Sequence, residues 1–114
     1  MKKLILGLSL AATFLASSAF AENGQGKSIF EEKGCAMCHK PDFDTIGPSL
    51  KTIAIGYAGK ENTLVPYLKG QGAAIIDPTR ASVMSPQLVK IRTLFEEDMR
   101  ALAEYIIAAS DRPL

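Results

Sequence analysis

Tryptophan is absent from this 114-residue sequence, histidine occurs once and cysteine twice, and the aromatic residues together make up 7%. Each scarcity removes a class of reading. Cys35, Cys38 and His39 are the only Cys and His residues present, one short of the four such ligands that a structural zinc site normally takes. Two cysteines three positions apart also make a poor structural staple, because a disulfide there closes a very small loop. Nor is there an excess of one charge: 13 Lys plus Arg stand against 12 Asp plus Glu. No basic stripe interleaved with aromatics marks a nucleic-acid surface. A long hydrophobic run is missing too, since the apolar stretch from Leu4 to Leu15 gives way to Ala16-Ser17-Ser18-Ala19, short of the roughly 20 residues of a membrane span.

That short run has another use. Lys2 and Lys3 precede it and Ala19-Phe20-Ala21 follows, the pattern of a secretory signal peptide cut after a small residue. The expected organisation is a cleaved signal peptide over 1–21 and one domain over 22–114, the alternative being a retained membrane anchor. Cleavage removes Lys2 and Lys3 and leaves 11 basic against 12 acidic residues, a mature chain of nearly neutral charge. Ninety-three residues suffice for one domain with a modest core, to which a bulky apolar cofactor would add.

The pattern along the mature chain is helical. A helix is expected over 26–33, with Ile29 and Phe30 inward and Gly34 as its stop. Ser49 is placed to cap a short helix through Leu50 to Tyr57. A third helix is expected over 63–69, ended by Gly70, with Pro66 tolerated in its first turn. From Gly70 to Pro86 the glycines, prolines and small residues predict irregular chain, and residues 86–93 a long connection. Thr93 and Glu96 have capping-box spacing before a helix over 94–109, whose inward stripe is Phe95, Met99, Leu102 and Ile106. No strand pair, internal repeat or low-complexity tract is visible.

The densest chemistry lies at Cys35-Ala36-Met37-Cys38-His39. Two cysteines separated by two residues and followed at once by histidine have the spacing of c-type haem attachment. On a near-helical turn both sulfurs can meet the vinyl groups of one haem while the adjacent imidazole faces the iron. A redox dithiol would want a strand before the motif and a βαβ pattern around it. With His39 unique, the second axial position falls to methionine, lysine, water or nothing. Met1 leaves with the leader, Met37 lies inside the attachment loop, and Met99 sits on the buried stripe. Met84 remains as the candidate distal ligand, against its reading as a surface or packing methionine.

The attachment motif near the mature N-terminus, Gly47-Pro48, Met84, and a last helix with Leu102 and Tyr105 together resemble the class I cytochromes c, most closely the small monohaem bacterial periplasmic ones. The resemblance implies an all-α fold of four to five helices around one covalent haem c, with the first and last helices crossing. It implies that the Pro48 carbonyl accepts the Nδ1 proton of His39, and that Gly26 and Phe30 meet Leu102 and Tyr105 where those helices cross. Tyr57, Tyr67 and Arg80 are candidates for the haem edge or its carboxylates, where many members have a tryptophan. Ser85 separates Met84 from Pro86, where the class often has proline directly.

A six-coordinate His39/Met84 iron has no open position for a substrate, so the expected function is one-electron transfer in the periplasm. The expected partners are a quinol-oxidising cytochrome complex and a terminal oxidase or reductase, met by a monomer with no membrane span after cleavage. A haem enzyme or ligand sensor, or a subunit docked in a larger complex, are the alternatives.

Overall fold

The computed structural model describes Gly7 and residues 18–112; the apolar run expected to be the leader lies, Gly7 aside, outside them. Five α-helices occur among the described residues, α1 (Ser18–Glu32), α2 (Leu50–Gly56), α3 (Leu64–Leu68), α4 (Ala81–Ile91) and α5 (Glu96–Ile107), with no strand between them. Short 3-10 turns precede α3 and α4, follow α5 and carry the cysteine motif.

The most extensive contact between helices joins α1 to α5. Ile29 and Phe30 of α1 are buried, as are Met99, Ala101, Leu102, Ala103 and Ile106 of α5. Leu102 and Met99 are fully enclosed, so Met99 is core. The axes approach closely at Gly26, where an added Cβ would lie 2.2 Å from the Ala101 carbonyl oxygen and 2.6 Å from Tyr105 Cβ. Beside that point the Phe30 and Tyr105 rings meet with centroids 5.4 Å apart, within the range of favourable aromatic pairs. Gln25 Nε2 donates to Asp98 across the same seam.

α2 begins as expected: the Ser49 hydroxyl accepts the Thr52 N–H at 3.0 Å, and Leu50, Ala54 and Tyr57 turn inward. Asp44 reinforces this start by accepting the Ser49 N–H at 2.8 Å. α3 is the expected third helix, with Leu64 and Leu68 buried. Its end is tied to α5 by Lys69, whose ammonium donates to Glu96 at 2.6 Å. That contact holds the exposed Glu96 carboxyl below its usual pKa, by the hydrogen bond first and by the lysine charge second.

Four expectations are corrected. The first helix is not confined to 26–33: α1 begins at Ser18 and ends at Glu32, Ala19, Ala21 and Glu22 being strong helix formers. The stretch over 70–86 is irregular only to Asp77; the chain then makes a 3-10 turn over Pro78–Arg80 and continues as α4. Pro86 lies inside that helix, where it removes one N–H, the partner due to the Ser82 carbonyl. Leu88 and Ile91, one turn apart and buried, supply the packing that offsets the loss. The connection into α5 is therefore the short turn 92–95, in place of eight residues. Thr93 does not cap α5: the residue before the helix is Phe95, with no side-chain cap. Leu94 draws the turn inward against the core and its N–H bonds to the Ile91 carbonyl at 2.9 Å, so Phe95 points out and is 78% exposed. The three carboxylates Glu96, Glu97 and Asp98 favour this helix start through the backbone dipole.

Placing a methyl group at Gly26 must separate two backbones. Helix propensity alone favours Gly26→Ala by about 1 kcal/mol, whereas overpacking of this kind costs about 1–3 kcal/mol or more. Urea denaturation of the holoprotein is expected to show net destabilisation of about 2 kcal/mol; a variant as stable as the parent would contradict the close crossing.

Candidate haem site

The cysteine motif emerges from the end of α1. Gly34, at φ 76°, turns the chain into the 3-10 turn Cys35–Met37, and the amides of Cys38 and His39 both bond to the Cys35 carbonyl, at 3.2 and 3.0 Å. Cys35, Cys38 and His39 thus occupy one tight turn. Lys40 Nζ donates to the Ala36 carbonyl at 3.0 Å and further fixes it.

The loop that follows folds back on this turn. The Gly47 N–H bonds to the Cys38 carbonyl at 3.0 Å, and Thr45 Oγ1 donates to the same oxygen at 3.0 Å. Pro48 is thereby set against the imidazole, with its carbonyl oxygen 2.7 Å from His39 Nδ1. A carbonyl can only accept, so Nδ1 carries the proton and Nε2 is left with its lone pair free. Gly47 makes the approach possible, because a Cβ there would stand 2.7 Å from His39 Cε1 and 3.0 Å from Nδ1.

Beyond the imidazole lies a largely apolar cavity of about 1030 Å³, its open mouth included. Its walls bring together Cys35, Cys38, His39, Pro48, Tyr57, Tyr67, Arg80 and Met84, all the residues expected from the sequence to hold or face the haem. They come from the motif turn, the loop before α2, the residue that ends α2, α3, the 3-10 turn before α4, and α4 itself. Met37 and Met99 do not line it, and no lysine does. Of the sequence-derived candidates for a second axial ligand, Met84 alone among the described residues reaches the cavity. Burial pushes the phenols of Tyr57 and Tyr67 up, with Tyr67 a secondary influence on Tyr57, so both stay neutral hydrogen-bond donors.

Sequence reasoning passed over three contributors. Ile46 and Ile76 line the walls and Asp77 brings a carboxylate to the same cavity. Asp77-Pro78 is a helix-start signal, an acidic residue before proline at the first position, and it could have revealed both Asp77 and α4. Asp77 stays ionised: hydrogen bonds from Thr79 and then Arg80 hold its carboxyl below the usual range.

The residues fit haem c and fit the other readings poorly. Cys35 and Cys38 form no disulfide, and both edge an apolar cavity with the free Nε2 of His39. Burial pushes the Cys35 thiol up, outweighing the backbone hydrogen bond and the Lys90 charge that lower it, whereas the attacking thiol of a redox pair is depressed. Among the described residues no three Cys, His, Asp or Glu side chains are grouped to hold a metal ion by themselves.

The sequence model of cytochrome c matches residues 24–110. The chain belongs to the cytochrome c family. It is 31% identical to cytochrome c-551 of Stutzerimonas stutzeri over 112 residues, covering 95% of this chain and 98% of that protein. Cytochrome c-551 of Pseudomonas aeruginosa is 29% identical, over 91% of this chain and 93% of its own. Cytochrome c-552 of Nitrosomonas europaea is 28% identical, over 94% and 97%. This cytochrome is accordingly a class I monohaem protein of the small bacterial type, an electron carrier with covalently attached haem c. The all-helical fold agrees with that class.

The Gly47 contact is testable in this cytochrome. Gly47→Ala should push the imidazole off Pro48, and exchange of the His39 Nδ1 proton with solvent, followed by NMR of the reduced holoprotein, is expected to quicken about tenfold for one weakened hydrogen bond. An unchanged rate would show that the ring tolerates the methyl group.

Proposed function

We propose that this cytochrome is an exported, periplasmic one-electron carrier whose iron is held by His39 on one side and Met84 on the other. The observation that carries the reading is the cavity lining: beside His39, Met84 is the only one of the described methionines to reach it, and no lysine does. Cys35 and Cys38 would hold the haem through two thioethers. Tyr57, Tyr67 and Arg80 would face its edge and carboxylates, Arg80 being the one Lys or Arg side chain at the cavity wall among the described residues.

Bound haem c supplies a one-electron couple at iron. The chain's own residues tune it. The Pro48 carbonyl orients His39 and raises the donor strength of Nε2. The Met84 thioether, a soft ligand, favours the ferrous state, as does the water-poor environment made by Leu64, Leu68, Ile53 and Ile106 along the walls. With His39 and Met84 both holding the iron no place would be left on it for a substrate, which would suit the protein to carry electrons and not to act as an enzyme. Its neutral charge gives little long-range steering, which suits brief encounters through a small interface, with a quinol-oxidising complex as donor and a terminal oxidase or reductase as acceptor.

Export rests on the leader pattern over 1–21. The alignment with the Stutzerimonas stutzeri protein covers 95% of this chain and therefore runs into that segment. Among the described residues no helix is long and apolar enough to cross a membrane. The domain over 22–114 is proposed to act as a monomer.

The ligand assignment is tested by the oxidised holoprotein's near-infrared spectrum. The weak sulfur-to-iron charge-transfer band is expected in the parent and should vanish in Met84→Ala. A parent without the band, or a variant that keeps it, would remove Met84 from the iron.

A further inference from the structure

We propose that Arg80 is a positioning residue for the distal side of the site, clasping the first turn of α4 to the loop that ends in Pro48. The inference rests on the reading of Met84 as distal ligand. The Arg80 guanidinium points two ways: Nε donates to Asp77 Oδ2 at 2.5 Å, and Nη1 donates to the Ile46 carbonyl at 3.0 Å, 34 residues away in sequence. Asp77 is itself fixed by Thr79 Oγ1, which donates to its other oxygen at 2.8 Å. Ile46, Asp77, Arg80 and Met84 all line the same cavity. The clasp therefore joins the loop that orients His39 to the helix that carries Met84.

α4 needs such a fastening because of how it is anchored. Its buried residues, Leu88 and Ile91, both follow Pro86. Before Pro86 the helix is weakened. Proline withholds the N–H due to the Ser82 carbonyl, and Ser85 Oγ bonds back to the Ala81 carbonyl at 2.9 Å, a contact that tends to bend helices. No side chain caps its start. The turn bearing Met84 thus lies between the hydrogen bond lost at Pro86 and Arg80, and the Arg80–Ile46 bond is the tie that reaches across to the facing loop. An isolated exposed Arg–Asp pair contributes little. Here Asp77 serves to aim the fork, and the directional part is the hydrogen bond from a charged donor to a backbone carbonyl. Arginine has five N–H donors, so a haem carboxylate can still be met by those left over.

The test compares the parent holoprotein with Arg80→Met, which keeps the aliphatic stem, and Arg80→Lys, which keeps the charge but lacks the fork. Two quantities are read: binding of imidazole to the oxidised protein, and hydrogen exchange of the amides in the first turn of α4. In Arg80→Met both are expected to rise about tenfold, the loss of one charge-assisted hydrogen bond, with exchange in α5 unchanged. Arg80→Lys is expected to resemble Arg80→Met. If neither quantity changes in Arg80→Met, or if Arg80→Lys behaves as the parent, the clasp is wrong, and in the second case it is charge at the cavity that matters. Absence of the near-infrared band in the parent would overturn Met84 ligation separately, and the exchange measurement would still decide whether Arg80 holds the turn.

Discussion

Everything else in this small protein hangs on the crossing of α1 and α5 at Gly26. Ala101 and Tyr105 come so close there that no Cβ fits between the helices. That approach lets Phe30, Met99, Leu102 and Ile106 close into a core at one side of a chain whose middle is given over to a cavity. A domain of this length buries only a modest fraction of its surface, and here Leu102 and Ile106 both pack in the core and line the cavity. The same side chains therefore stabilise the fold and exclude water from the cofactor.

From that seam the chain builds the two sides of the site by different means. The proximal side is made of backbone: the amides of Cys38 and His39 on one carbonyl, and the loop over 44–48 folded back on Cys38 until Pro48 meets the imidazole. The side proposed to be distal depends on a helix that Pro86 deprives of one hydrogen bond and that Leu88 and Ile91 anchor beyond it. On the proposed ligation, a ring locked by local hydrogen bonds would share the iron with a thioether whose helix is anchored by packing only beyond Pro86. For an electron carrier this would be a workable division, because with His39 and Met84 as the proposed ligands neither would need to leave during turnover and little would have to rearrange.

How much of this could be read from the residues follows from the range of the forces involved. The Ser49 cap, the inward faces of α1 and α3 and the buried Met99 are set by neighbours a few positions away, and the pattern displays them. The cysteine motif and Met84 could be singled out because chemistry restricts haem attachment and iron ligation to few residue types, and the structure brings both to one cavity. α4 was missed because Pro86 and the small residues before it argue locally for irregular chain, while the compensation comes from Leu88 and Ile91 packing at a distance. Thr93 looked like a cap and Phe95 like core, but Leu94 takes the inward place and turns both outward. The tie from Arg80 to Ile46 joins segments 34 residues apart and leaves no local signature.

The central claim, that Met84 completes the site built on Cys35, Cys38 and His39, is met most directly by proton NMR of the reduced holoprotein. A methionine methyl lying over the haem plane is shifted far upfield of all other signals by the ring current. The account predicts one such methyl, assigned to Met84 through its connectivity to the amides of α4. The absence of any such signal, or its assignment to Met37 or Met99, would contradict it.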